Sequence, residues 1–574
     1  MASLVIPGVQ INISQFNLGT VAPNGSQVPL IMGTCSGGTP GVLQSFASLN
    51  ALQAALGQGR LVTQAANCLS IAGGPVLCMP LPNTNAGLVS SVTATATTGD
   101  GYFVVSQAPT GTIGILVAST GTLSTATLQY QVSGDGYSAP VPIASSFRVP
   151  GTMTTITFGA GTYTAGTSVN IALDGTLVNG TSNTVSVSHS VVNDFDVLVD
   201  IVTSGATGVG QFTISLDGGN TVSAPLTINT GSKSIVQVPN AGNAGLALTW
   251  FASSNGFVAG DSGSFITRSA TASNSDITAA LQALGTTFLT SNYFSVQVCD
   301  PVDSISAAIT RAAVVDTQMD ALQTKEKFVA ALIECPTLGS YVSVSGSLVL
   351  DTADTDAALI TAKAAASLDY RIALCAGNSN SVDSTNGLIL QVNAASPIMA
   401  RLAEFNAATQ ASKVANGPIV GVVSISRDEA QLQDLDPVGY CTLRSFVGLT
   451  GFYVTGVHSA AVNTSDFYRF ANVRVMNEAC GIAYINALQY LNDNIPVNAN
   501  DGTILESAAQ KIENNITNAL VSGLVSSSPQ DAVDATCTVD RTNNLLSTAT
   551  LQLEISVRPF GYADFIVINI GFTQ

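Results

Sequence analysis

The spacing of hydrophobic and polar positions divides the chain into regions with different predicted structures. Residues 271–430 alternate between short apolar runs such as Phe328–Ile333 and stretches with helical spacing such as Ser304–Gln323. Alternating strands and helices are typical of an α/β layer on a largely parallel sheet. The pattern predicts helices at 276–284, 304–323, 355–366 and 397–407, and strands at 294–298, 328–333, 370–375 and 419–423.

The amino-terminal part of the chain has two predicted regions. Residues 1–22 alternate apolar and polar positions around Pro7 without a helical period, which indicates an extended arm. Its apolar positions are Val5, Val9, Ile11 and Ile13. Residues 23–90 contain predicted strands at 28–32 and 75–79, and a helical stretch at 45–56 with Ser48 as its N-cap.

Residues 91–270 are rich in Thr, Ser, Gly and Val, in short alternating runs separated by turn residues. This pattern is typical of β-sandwiches. The segment Gly134–Pro140 recurs in altered form as Asp217–Pro225. Other recurring short segments are also separated by about 85–95 residues, which is the length of one small β domain. We therefore predict two tandem sandwiches, at 91–178 and 179–270.

The carboxyl-terminal region combines two amphipathic helices with a β meander. The helices are predicted at 466–492 and 503–521, the second with Thr503 and Glu506 in capping-box spacing. Strands are predicted near 535–540, 550–557 and 565–572, and the last one is almost entirely apolar. Such a strand is either the edge of its own sheet or an addition to the sheet of another molecule, because an unpaired apolar edge would aggregate.

Composition narrows the possible functions. Of 574 residues only 9% are charged, against about 25% in an ordinary soluble domain. A charge-poor surface also occurs in proteins whose surface is covered by copies of themselves. The net charge is −18 and Lys and Arg form no cluster, which argues against direct nucleic-acid binding. No signal peptide and no apolar run of about 20 residues is evident, so we expect a soluble protein made in a cytosol, without membrane insertion.

No pattern predicts catalysis, and we expect no enzymatic activity and no cofactor or metal site. The sequence lacks a Gly-Lys dipeptide and an HExxH motif, which removes P-loop and common zinc-protease sites. Nine cysteines without a CxxC motif indicate buried thiols. The remaining candidates are interpreted as turns, caps or structural hydrogen-bonding groups: Gly159–Gly161, Gly208–Gly210, Gly260–Gly263 with His189 and Asp194 or Asp196, His458, Asp351, Asp354, Asp356, Asp434 and Asp436.

Short motifs in a particular order resemble those of the contractile tail sheath proteins of bacteriophages. The resemblance covers about 1–90 and 271–574, with 91–270 as a variable outward-facing insertion, and Gly456-Val-His458 departs from the Gly-Ala-Arg-Thr-like segment of that family. The motifs are Ile6–Val9, Val28–Gly33, Gly73-Gly74, Phe328–Pro336, Ala400-Arg401, Leu443-Arg444, Gly451–Gly456, Asn472–Arg474 and Arg558-Pro559.

The resemblance implies an α+β multidomain fold with an α/β sheath core, carboxyl-terminal helices and a β meander, plus inserted tandem β-sandwiches. The expected parts are an extended arm (1–22), the first part of the sheath core (23–90), two inserted sandwiches (91–178 and 179–270), an α/β core domain (271–430) and a carboxyl-terminal sheath domain with a terminal strand arm (431–574).

The resemblance also implies a virion tail protein, assembled in the host cytoplasm. Such subunits form a helical homopolymer of stacked hexameric rings around a tail tube, with baseplate and tail terminator proteins as further partners. Contraction of the polymer drives the tube through the host envelope for genome ejection and host cell entry. Arms are implied to add strands to neighbouring subunits, here through Val5, Val9, Ile11, Ile13, Phe565, Val567, Ile568, Ile570 and Phe572. The alternative is a virion or extracellular adhesin that binds through its tandem sandwiches.

Overall fold

The structure, a computed structural model, describes most of the chain from residue 28 onwards. The described residues are 28–90, 93–95, 102–106, 112–132, 136–144, 146–149, 155–158, 162–166, 168–172, 177–179, 185–188, 191–206, 208–228, 233–240, 242–251, 257–337, 340–344, 347–351, 356–568 and 570. They form a mixed helix and strand protein with several sheets. No helix among them is long and apolar enough to cross a membrane.

The elements up to residue 268 begin with a mixed segment and continue with strands. The mixed segment contains β1 (Pro29–Gly33), β2 (Gln44–Phe46), α1 (Leu49–Leu56), α2 (Arg60–Ala72) and β3 (Val76–Pro80). The strands that follow are β4 (Leu88–Val89), β5 (Thr93–Thr95), β6 (Tyr102–Ser106), β7 (Thr112–Ser119), β8 (Thr127–Val132), β9 (Val141–Pro142), β10 (Ser146–Arg148), β11 (Thr155–Phe158), β12 (Ser168–Ala172), β13 (Leu177–Asn179), β14 (Val185–Ser188), β15 (Asp196–Thr203), β16 (Gln211–Ser215), β17 (Leu226–Thr227), β18 (Lys233–Val238), β19 (Gly242–Phe251) and β20 (Ser262–Arg268).

The second half alternates helices and strands before two long helices and a hairpin. It contains α3 (Asn274–Leu284), β21 (Ser295–Val298), α4 (Ile305–Gln323), β22 (Ala330–Cys335), β23 (Tyr341–Val344), β24 (Ser347–Leu350), α5 (Asp356–Ala365), β25 (Ile372–Ala376), β26 (Asn378–Val382), β27 (Ile389–Asn393), α6 (Ala395–Glu404), β28 (Val422–Ile425), α7 (Glu429–Leu432), β29 (Leu443–Arg444) and β30 (Tyr453–Val454). The last elements are α8 (Phe470–Ala487), α9 (Glu506–Leu520), β31 (Asp534–Val539), α10 (Leu545–Thr548) and β32 (Leu553–Arg558).

A six-stranded sheet joins two distant parts of the chain. Its order is β2-β3-β1-β21-β22-β25, and every neighbouring pair is parallel except β2 with β3. Alternate residues of β1 face two different cores: Ile31 packs with α1, α2 and α6, whereas Leu30 and Met32 pack with α3, α4 and α5. Both faces are therefore buried, as expected for parallel strands. The predicted α/β layer on a largely parallel sheet is confirmed.

Local predictions in this layer were right in most places and wrong in two. Ser48 caps α1 as predicted, since its Oγ accepts a hydrogen bond from the Ala51 amide. The strand predicted at 419–423 lies at Val422–Ile425 and belongs to a separate antiparallel sheet with β26 and β27. The helix α2 was not predicted. Every residue from Leu61 to Leu69 is buried, including the polar residues Thr63, Gln64 and Asn67, and the N-cap Gly59 makes no side-chain hydrogen bond that would mark the start of the helix.

The strands between β3 and α3 form two pairs of packed sheets. Sheets β13-β12-β7-β8-β9 and β10-β11-β14 share one core. Sheets β17-β16-β15-β20-β4, with β5 also on β20, and β18-β19-β6 share another, in which the Trp250 and Phe212 ring centroids lie 4.5 Å apart. Strands β4 and β5 thus pair with β20, and β6 pairs with β19, whereas the predicted boundaries grouped the residues from 91 onwards with the first sandwich. Local alternation could not reveal this pairing, because the strand that follows in the chain is not the strand that pairs.

The carboxyl-terminal region packs α9 against the β31–β32 hairpin. Ile512, Ile516 and Leu520 of α9 share a core with the inward side chains of β31. The predicted capping box is wrong: α9 starts at Glu506 after Leu505, which makes no side-chain cap, and Glu506 instead binds Arg541. The strands predicted near 535–540 and 550–557 are present as β31 and β32, but the described residues between 565 and 570 form no strand.

Candidate assembly surface

The β31–β32 hairpin has one apolar and one polar face. Its strands pair antiparallel from Asp534 opposite Arg558 to Val539 opposite Leu553. Along β31, Ala535, Cys537 and Val539 are buried against α9, and the residues between them are exposed. The hairpin is therefore fixed to its own subunit by one face, and a further strand can reach it only along an edge.

The outer edge of β31 is closed by side chains of α9. The Cys537 amide donates to Thr517 Oγ1 at 3.0 Å, and the Val539 amide donates to Glu513 Oε1 at 2.7 Å. Arg541 holds Glu513 in place through Nη2 at 2.9 Å from Oε2, and this hydrogen bonding lowers the pKa of Glu513. A neighbouring strand would have to displace both acceptors to pair here.

The outer edge of β32 is open. In an antiparallel pair, opposite residues either exchange both hydrogen bonds or point both outward. Since the Cys537 and Val539 amides point outward, their partners Ile555 and Leu553 direct their own N–H and C=O groups away from β31, and Val557 follows the same alternation. In the part of the chain that the structure describes, no strand other than β31 pairs with β32.

An exposed apolar segment follows this hairpin. Its exposed fractions are 93% for Phe565, 79% for Ile566, 83% for Val567, 74% for Ile568 and 91% for Ile570. The connection before it is anchored, because Tyr562 Oη donates to the Ala408 carbonyl at 2.7 Å and Asp564 forms an ion pair with Arg469. We call residues 565–574 the terminal arm.

The structure describes only part of the predicted arm set. Phe565, Val567, Ile568 and Ile570 are together in the exposed terminal arm. The other positions, Val5, Val9, Ile11, Ile13 and Phe572, lie outside the described residues. The role of the whole set in contacts between subunits stays a prediction.

The other predicted candidates occupy structural positions. His458 Nε2 lies 3.0 Å from Asp436 Oδ1, and its ring stacks on Tyr468 with centroids 4.6 Å apart. Asp356 and Asp434 both pair with Arg427. All nine cysteines are free and buried, and the described residues contain no cluster of His, Cys, Asp or Glu that could hold a metal ion. Gly159–Gly161, His189 and Asp354 lie outside the described residues.

Sequence reasoning missed a buried ionic cluster at the carboxyl edge of the parallel sheet. Arg60 at the start of α2 pairs with Asp194, whose other oxygen accepts from the Ser269 amide at 2.8 Å. Nearby, Asp300 accepts from the Thr34 and Ala272 amides. Burial lowers the pKa of Arg60 to about 10 and raises that of Asp300. We call this the junction cluster, because it bonds the residues just before β15 and just after β20 to the sheet.

Family models match almost the whole chain. The model described as DUF2586, N-terminal domain, matches residues 6–458, and the model described as DUF2586, C-terminal domain, matches residues 466–574. The chain belongs to the DUF2586 family. The division between the two family domains falls just before α8, so α8, α9 and the hairpin lie in the carboxyl-terminal domain of this DUF2586 protein. None of the curated proteins matches it.

Solved structures similar to this DUF2586 protein are sheath tail proteins and parts of contractile injection systems. A sheath tail protein from Desulfitobacterium hafniense is 11% identical, with 93% of each chain covered and a TM-score of 0.38. One from Listeria innocua is 10% identical, with 94% of this chain and 96% of that chain covered and a TM-score of 0.39. A chain in the contracted sheath complex of an extracellular contractile injection system is 14% identical, with coverages of 51% and 74% and a TM-score of 0.32.

Proposed function

We propose that this DUF2586 protein is the structural subunit of a contractile phage tail sheath. It polymerises as stacked hexameric rings around a tail tube and contracts to drive the tube through the host envelope. Baseplate and tail terminator proteins are further partners of the polymer. The polymer is assembled in the host cytoplasm and resides in the virion tail. The observation that carries the proposal is that the same subunit has both an exposed apolar arm and a hairpin with one open edge.

The terminal arm needs a partner to cover it. Five neighbouring large apolar side chains at 74–93% exposure form a patch that a monomer in solution would bury or aggregate through. Only six residues separate the arm from β32, yet it does not pair with the hairpin of its own chain in the described residues. Tyr562 and Asp564, in the connection between β32 and the arm, are instead bonded to Ala408 and Arg469. A second copy of the chain is then the available acceptor.

The open edge of β32 is the matching acceptor. Main-chain groups of Leu553, Ile555 and Val557 would supply the hydrogen bonds to the arm. Donor and acceptor surfaces differ, so each subunit can donate its arm to one neighbour and accept the arm of another. When these two neighbours are different copies, the contact is head-to-tail and repeats into a ring or a helix. This is the connectivity that a tubular polymer requires.

Charge is of secondary importance for this assembly. The net charge of −18 makes copies repel one another, but exposed charges more than about 8–10 Å apart are screened at physiological salt. Apolar burial and main-chain pairing therefore dominate. We expect a change in salt concentration to alter polymer formation only modestly.

Negative-stain electron microscopy of the purified chain tests the proposal. We expect hollow tubes or stacked rings with six-fold end views, formed alone or on added tail tube, and we expect deletion of residues 1–15 or 565–574 to leave folded monomers. Unchanged tubes from either truncated chain would refute the arm mechanism. If the chain stays monomeric both at high concentration and with added tail tube, the adhesin alternative is favoured.

A further inference from the structure

A cavity of about 250 Å³ lies beside α8, at the amino ends of β21 and β22. Residues 292–294 and 326–328 form one wall, and residues of α8 from Arg474 to Ile485 form the other. The exposed Ile485 stands at its rim. Its volume exceeds the roughly 150 Å³ that holds a benzene molecule in an engineered protein cavity, so one or two side chains fit. We call it the α8 cavity.

The polar wall of the α8 cavity lacks hydrogen-bond partners. Unpaired atoms are Tyr293 Oη, Glu326 Oε2, Arg474 Nε, Asn477 Nδ2 and Glu478 Oε2. Tyr293 and Arg474 are each only 3% exposed, and Asn477 is 7% exposed. A buried polar group left without a partner costs about 1–3 kcal/mol, so native structures rarely leave several together. The set offers both donors and acceptors, which calls for an occupant that also has both.

The chain itself enters the described structure at this cavity. The Val28 carbonyl accepts a hydrogen bond from the Phe294 amide at 3.1 Å, and Phe294 lines the cavity. Residues 1–27 lie outside the described residues and must reach Val28 at this wall. The residues next to Val28 are Pro23-Asn24-Gly25-Ser26-Gln27, which carry amide and hydroxyl groups and no charge.

An uncharged occupant suits the electrostatics of the cavity. Burial raises the pKa of Glu326 to about 7 and also raises the pKa of Glu478, which favours their protonated forms. Arg474 is already satisfied in part, since its guanidinium donates to the Phe405 carbonyl and lies 4.3 Å from the centre of the Phe294 ring. An amide side chain can donate to the carboxyl oxygens and accept from Arg474 or Asn477.

We propose that residues 23–27, the polar root of the amino-terminal arm, dock in the α8 cavity of their own subunit. The arm then leaves the subunit from a fixed point on α8 instead of from a free end at β1. This docking needs no polymer, so it can hold even if the sheath proposal fails.

Thiol chemistry at Gly481 tests the docking in the full-length chain. Gly481 lines the cavity, and a Cβ placed there meets no heavy atom within 4 Å, so Gly481→Cys introduces an accessible thiol among nine buried ones. We expect maleimide labelling of this cysteine to accelerate by about tenfold or more when residues 1–27 are deleted, a factor equivalent to about 1.4 kcal/mol. The variant Ser26→Ala/Gln27→Ala, which keeps the chain length, should accelerate labelling in the same direction.

Disulfide trapping identifies which chain fills the cavity. Ser26→Cys with Gly481→Cys should form an intramolecular bond that migrates as a monomer without reductant. The control is Ser26→Cys with Gly136→Cys, because Gly136 lies in the β4–β20 region and has equally open space. If the Gly481→Cys thiol is labelled at equal rates with and without residues 1–27, water fills the cavity and the proposal is wrong. A disulfide between two chains, or equal trapping by the control pair, would overturn it as well.

Discussion

Shortening two side chains of the terminal arm should raise the concentration needed for polymer formation by a factor of about 30–700. The proposed perturbation is Ile566→Ala/Ile568→Ala, which leaves the main chain of the arm free to pair. Fully burying an isoleucine side chain is worth about 1.5–3 kcal/mol. These two side chains are 79% and 74% exposed in the subunit, so their burial in an acceptor contributes about 2–4 kcal/mol together. At about 1.4 kcal/mol per tenfold, this gives the stated factor.

The assay is sedimentation of polymer over a concentration series, with the supernatant concentration as the critical concentration. The matched control is Val209→Ala/Val222→Ala, since these valines are 65% and 53% exposed in the β4–β20 region. We expect the control to leave the critical concentration unchanged. An arm variant that polymerises like the unchanged chain would refute the burial of these isoleucines in the polymer. An equal change in critical concentration for the isoleucine pair and the valine pair would also refute it, because general surface hydrophobicity would then explain both changes.

Three further changes test the edge, the junction cluster and the α8 cavity. Val557→Pro removes an outward amide and should block polymer formation in a folded subunit, whereas Ser556→Pro removes a hairpin hydrogen bond and should lower the unfolding temperature. Asp194→Ala removes the ion-pair partner of Arg60 and should destabilise the fold by about 1–3 kcal/mol in calorimetry. Burial raises the pKa of Glu478 from 4.5 to about 8, so the folded state holds this proton more tightly than the unfolded state. Its contribution to stability is complete below pH 4.5 and is lost as pH rises through about 8, so urea midpoints should fall over that range and Glu478→Gln should flatten the fall.

The α/β layer could be predicted because its signals are local. Apolar runs such as Phe328–Ile333 and capping residues such as Ser48 report strands and helix starts within a few residues. Helix α2 was not predicted, and its N-cap residue Gly59 provides no side-chain cap that would mark its start. The pairing of β6 with β19 escaped because their residues are more than a hundred positions apart.

The assembly surface was predictable only in part for the same reason. The terminal arm is visible in the sequence as an almost entirely apolar run, and the structure leaves its described residues exposed. Which edge of the hairpin is left open depends on Thr517 and Glu513, which lie 20 and 26 residues from the amides they cover. No local pattern records that contact. The same limit hid the junction cluster, whose members come from α2, the segments before β15 and after β20, and the loops after β1 and β21.

Closing one edge of the hairpin gives the subunit a single acceptor, and removing that closure should disorder assembly. A two-stranded sheet with both edges free could take strands from either side, and exposed edges of that kind lead to irregular association. Thr517→Val keeps the shape of the side chain but deletes the oxygen that accepts from the Cys537 amide. The loss of one hydrogen bond costs only about 0.5–1.5 kcal/mol, so the subunit should still fold.

The consequence should be visible in a chain that cannot form the ordered polymer. With residues 565–574 deleted, we expect Thr517→Val to increase light scattering over time, because a second edge then competes for strands of other copies. Thr536→Val makes the same chemical change on the exposed face of β31 and should leave scattering at the level of the truncated parent. If both valine variants scatter alike, edge closure by α9 is not what keeps the hairpin selective. If only Thr517→Val scatters, the one-sided hairpin is the feature that gives the polymer its direction.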